Sequence, residues 1–92
     1  MDCVVELFGT LRQQFGAPEV KVELPAESSL VDLLRELVQK EPRLLESAVA
    51  PDMEALVAPY RFYRPGRGFV DDLGQKVECG DRFLLLAASV GG

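Results

Sequence analysis

The sequence predicts an α+β domain in which one long amphipathic helix is set among several short strands. Of its 92 residues, 48% are hydrophobic and 27% are charged, a balance typical of a chain that folds around a packed core. Apolar residues recur at helical spacing over residues 30–38 and alternate with polar residues in the flanking segments. This length suits one hydrophobic core, so we expect a single domain over residues 1–92.

Two strands are predicted before the helix. Apolar and polar side chains alternate in residues 3–7 and again in residues 20–24, as they do in half-buried strands. Gly9 and Thr10 should end the first strand, and Pro25 should end the second, because these residues favour turns or lack a backbone donor.

The helix has a predicted start, an apolar face and a predicted end. Ser29 and Asp32 have the spacing of a capping box, so the helix should begin directly after Ser29. Its apolar face consists of Leu30, Leu33, Leu34, Leu37 and Val38. Pro42 disfavours helical geometry at Glu41, so the helix should end or kink there.

The rest of the chain completes a recognisable arrangement. The remaining predicted elements are a short second helix within residues 43–59, a hairpin of strands 60–64 and 69–70, a turn at 79–81 and a last strand at 83–87. Because the long helix allows a crossover, the last strand can return parallel to the first at the centre of the sheet. The expected fold is a β-grasp, or ubiquitin-like fold: a mixed sheet of four to five strands with one long helix packed on one face.

The last predicted strand leads directly into Gly91 and Gly92. Residues without side chains make a thin, flexible tip that can enter a narrow active site and present its carboxyl group there. We therefore expect residues 88–92 to form a tail, with Ser89, Val90 and Gly91 leading to a reactive Gly92. Six extended residues, 87–92, reach about 20 Å.

Composition argues against several classes of function. The chain contains no histidine, and its two cysteines lie far apart in no metal-ligand spacing, so we expect no metal site and no catalytic residues of its own. Its net charge of −5 disfavours nucleic acid and anionic membranes as partners. No secretory signal or long apolar stretch is present, which favours a cytoplasmic protein with free thiols at Cys3 and Cys79.

The sheet model predicts an apolar patch. If Phe83 and Leu85 point at the helix, the opposite face carries Val4, Phe8, Leu84 and Leu86. An exposed apolar patch of this kind marks a partner interface. The alternative is that residues 43–59 or a second copy of the chain covers it.

Three arginines, Arg61, Arg64 and Arg67, alternate with aromatic residues in the predicted hairpin. Such a combination can contact phosphates and bases. The acidic balance of the chain favours a solvated hairpin with ordinary strand aromatics instead.

Several segments resemble the MoaD/ThiS-type sulfur carriers, which include the small subunit of molybdopterin synthase, the thiamine-pathway carrier and a ubiquitin-related modifier. The segments are Leu-Phe-Gly-Thr-Leu-Arg at 7–12, Val-Glu-Leu-Pro at 22–25, the leucine-rich helix from Ser29, Val-Glu-Cys-Gly-Asp at 77–81 and the terminal Gly91-Gly92. There are two departures. Ala-Ala-Ser-Val at 87–90 stands where the molybdopterin-synthase subunits usually have a proline pair followed by Val-Ser, and residues 43–67 look longer than in the compact thiamine carrier.

The resemblance implies a function for the terminus. An activating enzyme would use ATP to adenylate Gly92, and a sulfur donor would then replace AMP to leave a thiocarboxylate. The protein itself would bind no stable cofactor and would serve as the non-catalytic, sulfur-donating subunit of a synthase. Its implied partners are the activating enzyme and the large subunit of molybdopterin synthase, or another sulfur-accepting enzyme.

Other functions use the same ending. A ubiquitin-like modifier would be conjugated through Gly92 to lysines of target proteins. A sulfur carrier could also serve thiamine synthesis, tRNA thiolation or amino-acid biosynthesis. A plain β-grasp adaptor would not use Gly92 at all.

Overall fold

A computed structural model describes residues 1–88, which form a five-stranded mixed sheet with two α-helices. In chain order the elements are β1 (Asp2–Leu7), α1 (Gly9–Phe15), β2 (Glu19–Glu23), α2 (Leu30–Lys40), a 3-10 helix (Pro42–Glu46), β3 (Tyr60–Arg64), β4 (Gly68–Val70) and β5 (Arg82–Ala87). The strand order is β2-β1-β5-β3-β4. β1 and β5 are parallel and the other neighbours are antiparallel, so the predicted mixed sheet with a parallel centre is confirmed.

The long helix α2 begins and ends as its sequence predicts. The Ser29 side chain accepts a hydrogen bond from the Asp32 amide, and Asp32 accepts one from the Ser29 amide at 2.8 Å, which completes the capping box. The helix ends at Lys40, one residue before the Glu41 cap. All five residues of the predicted apolar face are buried.

The core lies between α2 and one face of the sheet. Val5 and Leu7 of β1, Phe62 of β3, and Phe83 and Leu85 of β5 point into it and are almost completely buried. Each such side chain contributes about 1.5–3 kcal/mol through removal of apolar surface from water. Strand alternation therefore directs the neighbouring residues to the opposite, open face of the sheet.

The prediction of a single helix on the sheet is incomplete, because residues 9–15 form the additional helix α1. Leu11 is fully buried and Phe15, four residues later, packs against the core, so the segment has the spacing of an amphipathic helix. Gly16 ends the helix in the left-handed conformation at φ 71°, and its amide donates to the Arg12 carbonyl at 3.0 Å. Gly9 at φ 58° turns the chain out of β1 and opens α1 rather than only ending a strand.

The connection from α2 to β3 contains a 3-10 helix, which is shorter than the helix predicted within residues 43–59. Pro42 stands in its first turn, and the Glu41 side chain caps it by accepting from the Arg43 amide. Ala48 lies beyond this helix and is buried, and the Ala48 carbonyl accepts from the Val57 amide at 2.8 Å. The connection thus packs beside α2, and the hydrogen bond between Val57 and Ala48 joins its C-terminal end to its middle.

Among residues 1–88, no helix is long and apolar enough to cross a membrane.

Candidate functional site

A groove lies on the open face of the sheet, where the parallel strands β1 and β5 both end. Its volume is about 540 Å³. It is lined by Phe8, Gly9, Thr10, Tyr60, Leu84, Leu86 and Ala87. The C-terminal strand therefore runs along the groove and ends at its edge.

The groove follows from the pleat of the two central strands. Leu7 points into the core, and the extended backbone of Phe8 continues the alternation, so Phe8 faces outward with 43% of its surface exposed. Leu84 and Leu86 alternate with the buried Phe83 and Leu85 and are half-buried on the same face. The structure thus brings together three of the four residues predicted to form the patch.

Val4 lies on the same face but outside the lining of the groove. It pairs with Lys21 of β2 and is in register with Arg82 at the start of β5. Val4 is therefore toward the opposite end of the strands from Phe8. Its predicted part in partner binding remains a prediction.

Paired charges lie at the start of β5, toward the opposite end of the strands from Phe8. Arg82 contacts Glu6 and donates to Glu19 at 3.2 Å, which joins three strands in one ionic cluster. The hydrogen bonds that Arg82 donates to Glu19 and Glu6 raise the pKa of its guanidinium. Carboxylates from β1 and β2 thus balance the charge at the start of β5.

An aromatic and cationic stack extends the open face beyond the groove, onto the β3–β4 hairpin. Tyr63 is in register with Leu84 and meets Phe69 edge to face, with ring centres 5.2 Å apart. The Arg61 guanidinium lies 4.3 Å from the centre of the Phe69 ring and pairs with Asp71. Phe69 remains 44% exposed, so this stack is open to solvent.

Sequence reasoning did not single out Tyr60, Tyr63 or Phe69 as site residues. Their signal was available in the hairpin, because Tyr63 and Phe69 are cross-strand partners on the face opposite the buried Phe62. Tyr60 is in register with Ala87, next to the last described residue of the chain. The register of β3 with β5 was needed to place it there.

Arg64 differs from the expectation of a solvated hairpin. It alternates with Arg61 and Tyr63, so it lies on the core face and is only 6% exposed. Its guanidinium pairs with Asp81 in the turn before β5 and lies 5.1 Å from the centre of the Phe83 ring. This arginine therefore links the hairpin to the C-terminal strand from the core side of the sheet.

Both cysteines are free thiols, as expected, but their environments differ. Cys3 is buried and Cys79 is exposed. Burial, together with Asp81 and Asp2, raises the pKa of the Cys3 thiol. Within residues 1–88, no group of three or more histidine, cysteine or acidic side chains could hold a metal ion.

The predicted reactive tail begins where the described chain ends. β5 pairs with β3 as far as Ala87, and the Ala88 amide donates to the Pro59 carbonyl at 2.8 Å. Ser89, Val90, Gly91 and Gly92 lie outside the described residues. The structure therefore shows where the predicted tail starts, at Ala88 beside the groove.

Comparison with solved structures identifies the fold. SAMP1 from Haloferax volcanii matches with a TM-score of 0.83 and 25% identity, over 100% of both chains. This chain has the ubiquitin-like β-grasp fold and resembles MoaD/ThiS-like proteins. A putative molybdopterin converting factor, subunit 1, from Pyrococcus furiosus matches this β-grasp domain at a TM-score of 0.76 and 20% identity, over 97% of this chain and 99% of that one.

A further match comes from an assembly. The Amycolatopsis orientalis BexX/CysO complex contains a chain that matches this β-grasp domain at a TM-score of 0.69 and 22% identity, over 98% and 99% of the two chains. Neither the scan against protein-family models nor the search of curated proteins finds a match. The predicted resemblance is thus confirmed through structure, over nearly the whole length of each chain.

Proposed function

We propose that this β-grasp domain carries sulfur on its C-terminus, as a thiocarboxylate at Gly92. The observation that carries the proposal is the end of β5. This central strand runs along an open apolar groove. It ends directly before Ala88, which is four residues before the Gly-Gly carboxyl group. The proposed docking surface thus lies beside Ala87, which leads into the small-residue terminus.

The chemistry requires two steps on an activating enzyme. A carboxylate oxygen of Gly92 attacks the α-phosphate of ATP, pyrophosphate leaves, and an acyl-adenylate forms. A hydrosulfide equivalent from a sulfur donor then attacks the acyl carbon, and AMP leaves with the electrons of the broken C–O bond. The product is a thiocarboxylate, whose sulfur can attack an electrophilic carbon of an acceptor.

The groove supplies the means of recognition. An activating enzyme must hold the domain while the tail enters its site, and binding energy concentrates in buried apolar and aromatic anchors. Phe8, Leu84 and Leu86 offer such anchors within one groove. Because Ala87, which leads into the tail, lines the same groove, a partner that covers these residues also receives the terminus.

Among the sulfur-requiring pathways, we favour molybdopterin synthesis, with this chain as the small subunit beside a large catalytic one. The similarity to a protein described as a molybdopterin converting factor subunit supports this choice. Thiamine synthesis, tRNA thiolation and amino-acid biosynthesis are the alternative destinations. We propose that the protein works in the cytoplasm, binds no resident cofactor, and meets ATP only on its activating enzyme.

Intact mass spectrometry tests the proposal. Protein purified from its source cells should show a species heavier by the difference between sulfur and oxygen, which disappears on alkylation of the thiocarboxylate or deletion of Gly92. Gly92→Val should fold normally and lose adenylation, because a side chain next to the attacking carboxylate crowds it. Unchanged ATP–pyrophosphate exchange by Gly92→Val would contradict the mechanism.

A second function, conjugation to proteins, is supported by similarity to structures described as small archaeal modifier proteins. In that case the amino group of a target lysine attacks the activated Gly92 carbonyl, and an isopeptide bond replaces the bond to the leaving group. Conjugates of high mass that contain this chain, and that vanish when Gly92 is deleted, would favour the modifier. Both outcomes together would indicate one protein with two uses.

A further inference from the structure

The end of β5 is held from one side only. Pairing with β1 reaches Leu85, which is in register with Leu7, and β1 then turns away through Phe8 into α1. Pairing with β3 continues two residues further along β5, to Ala87. The Ala88 amide then adds the 2.8 Å hydrogen bond to Pro59.

The acceptor of this hydrogen bond is itself anchored. Pro59 is followed by Tyr60, whose amide donates to the Val57 carbonyl at 2.9 Å, and Val57 in turn donates to the buried Ala48. Three hydrogen bonds thus connect Ala88, the end of the 42–59 connection and the core. An acceptor on a freely moving loop would not hold Ala88 in a defined place.

Tyr60 also lies beside the end of β5. Tyr60 lines the groove beside its register partner Ala87, and it also lines a second cavity beside Leu56 and Val70. It is half-buried and packs against the core. An aromatic ring with two torsion angles loses little freedom when it is fixed, so it makes a stiff wall.

We propose that the Pro59 carbonyl and the Tyr60 ring are positioning groups that fix Ala88, from which the C-terminal segment continues, on the β3 side of the groove. This inference rests on the proposed function, because it concerns delivery of the Gly92 carboxyl to an activating site. Four residues beyond Ala88 span at most about 14 Å. The fixed position of Ala88 therefore limits which positions the carboxyl group can reach while a partner occupies the groove.

The hydrogen bond acts on delivery and not on docking. Loss of the Ala88–Pro59 bond leaves Ala87 as the last residue held by β3, while Phe8, Leu84 and Leu86 keep their places. Reactivity depends on holding the reacting groups in position, so the catalytic rate should fall while affinity stays constant. A net backbone hydrogen bond corresponds to roughly a fivefold effect.

The sharpest test replaces one atom. Cys79 is exposed and precedes β5, so residues 79–92 can be made as a peptide and joined to residues 1–78 by ligation at this native cysteine. Lactic acid in place of Ala88 gives an ester that has no N–H donor but keeps the side chain and shape. The matched control is the same ligated protein with an ordinary Ala88 amide.

Both proteins are assayed for ATP–pyrophosphate exchange with the activating enzyme from the source cells. We expect about a fivefold lower kcat for the ester, with KM for the carrier within twofold of the control. Tyr60→Leu should lower kcat as well and, because Tyr60 also lines the groove, should raise KM, whereas Tyr60→Phe should keep the kcat of the unsubstituted protein. Equal kcat for ester and amide proteins overturns the inference, as does an effect confined to KM.

Two further measurements separate the possible failures. In the free, full-length protein, the Ala88 amide should exchange with solvent at least tenfold more slowly than an unprotected amide; an unprotected rate overturns the inference. If the control protein with the ordinary Ala88 amide supports no ATP–pyrophosphate exchange, the proposed function fails and the inference fails with it. If the control is active and the ester is equally active, only the positioning role fails.

Discussion

Removal of one partner from the ion pair between Arg64 and Asp81 should be one of the most destabilising single substitutions in this domain. Arg64 is only 6% exposed, and its guanidinium donates to Asp81 at 2.5 Å. The same carboxylate oxygen of Asp81 accepts from the Glu78 amide at 2.7 Å, so it also holds the turn before β5. Removal of either partner leaves a charge in a poorly solvated site.

The two single substitutions should differ in size. Asp81→Ala leaves the buried guanidinium without a counter-charge and removes the acceptor of the Glu78 amide, which should cost about 3–5 kcal/mol. Arg64→Ala leaves a carboxylate that keeps the Glu78 amide and is 18% exposed, so about 2–3 kcal/mol is expected. For a domain of this size, the larger loss lowers Tm by about 12 °C or more.

Guanidinium-chloride unfolding followed by circular dichroism measures these free energies. Arg61→Ala is the matched control, because its ion pair with Asp71 is exposed and should contribute at most about 1 kcal/mol. The double variant Arg64→Met with Asp81→Leu should recover much of the loss, because no unpaired charge remains. A cost below about 1 kcal/mol for Asp81→Ala, or the absence of coupling in the double-mutant cycle, would refute the reasoning.

Three other outcomes are expected. Leu86→Asp should fold normally and weaken binding to the activating enzyme at least tenfold, because it places a charge in the apolar groove. Leu45 is an exposed apolar residue outside the groove, so Leu45→Asp should leave this binding unchanged. Equal binding by the two variants would contradict the docking role. A thiol reagent should label Cys79 rapidly and Cys3 only after unfolding, as a denaturant series read by mass spectrometry will show. Because the pKa of Cys3 is raised in the folded state, unfolded chains ionise first as the pH passes 9.0, so the free energy of unfolding should fall above that pH, and this fall should be smaller in Cys3→Ala.

Most secondary structure could be predicted because its signals are local. The Ser29–Asp32 capping box and the leucine spacing of α2 act within one or two turns, and both are present in the structure. Helix α1 was missed because its seven residues are too few for a clear period, although Leu11, Phe15 and the terminal Gly16 carry the signal. Its buried face is decided by packing against the sheet and not by propensity.

The candidate site divides in the same way. Alternation along one strand was enough to place Phe8, Leu84 and Leu86 on a common face, since the pleat has a period of two. The burial of Arg64 was not predictable from its strand alone, because its partner Asp81 lies 17 residues away. A charged residue is expected to be solvated unless a counter-charge is in place, and only the fold supplies one.

The sequence by itself determined the strand and helix periods, the β-grasp order of elements and the small-residue ending, because each of these depends on neighbouring residues and chain order. Tertiary structure alone decided the register of β3 against β5, which places Tyr60 and the Pro59 carbonyl beside the start of the tail. Register pairs residues that are distant in the chain. A shift of β5 by one residue would turn every side chain of that strand to the other face. The same sequence pattern would then have buried Leu84 and Leu86 and left no groove beside the C-terminus.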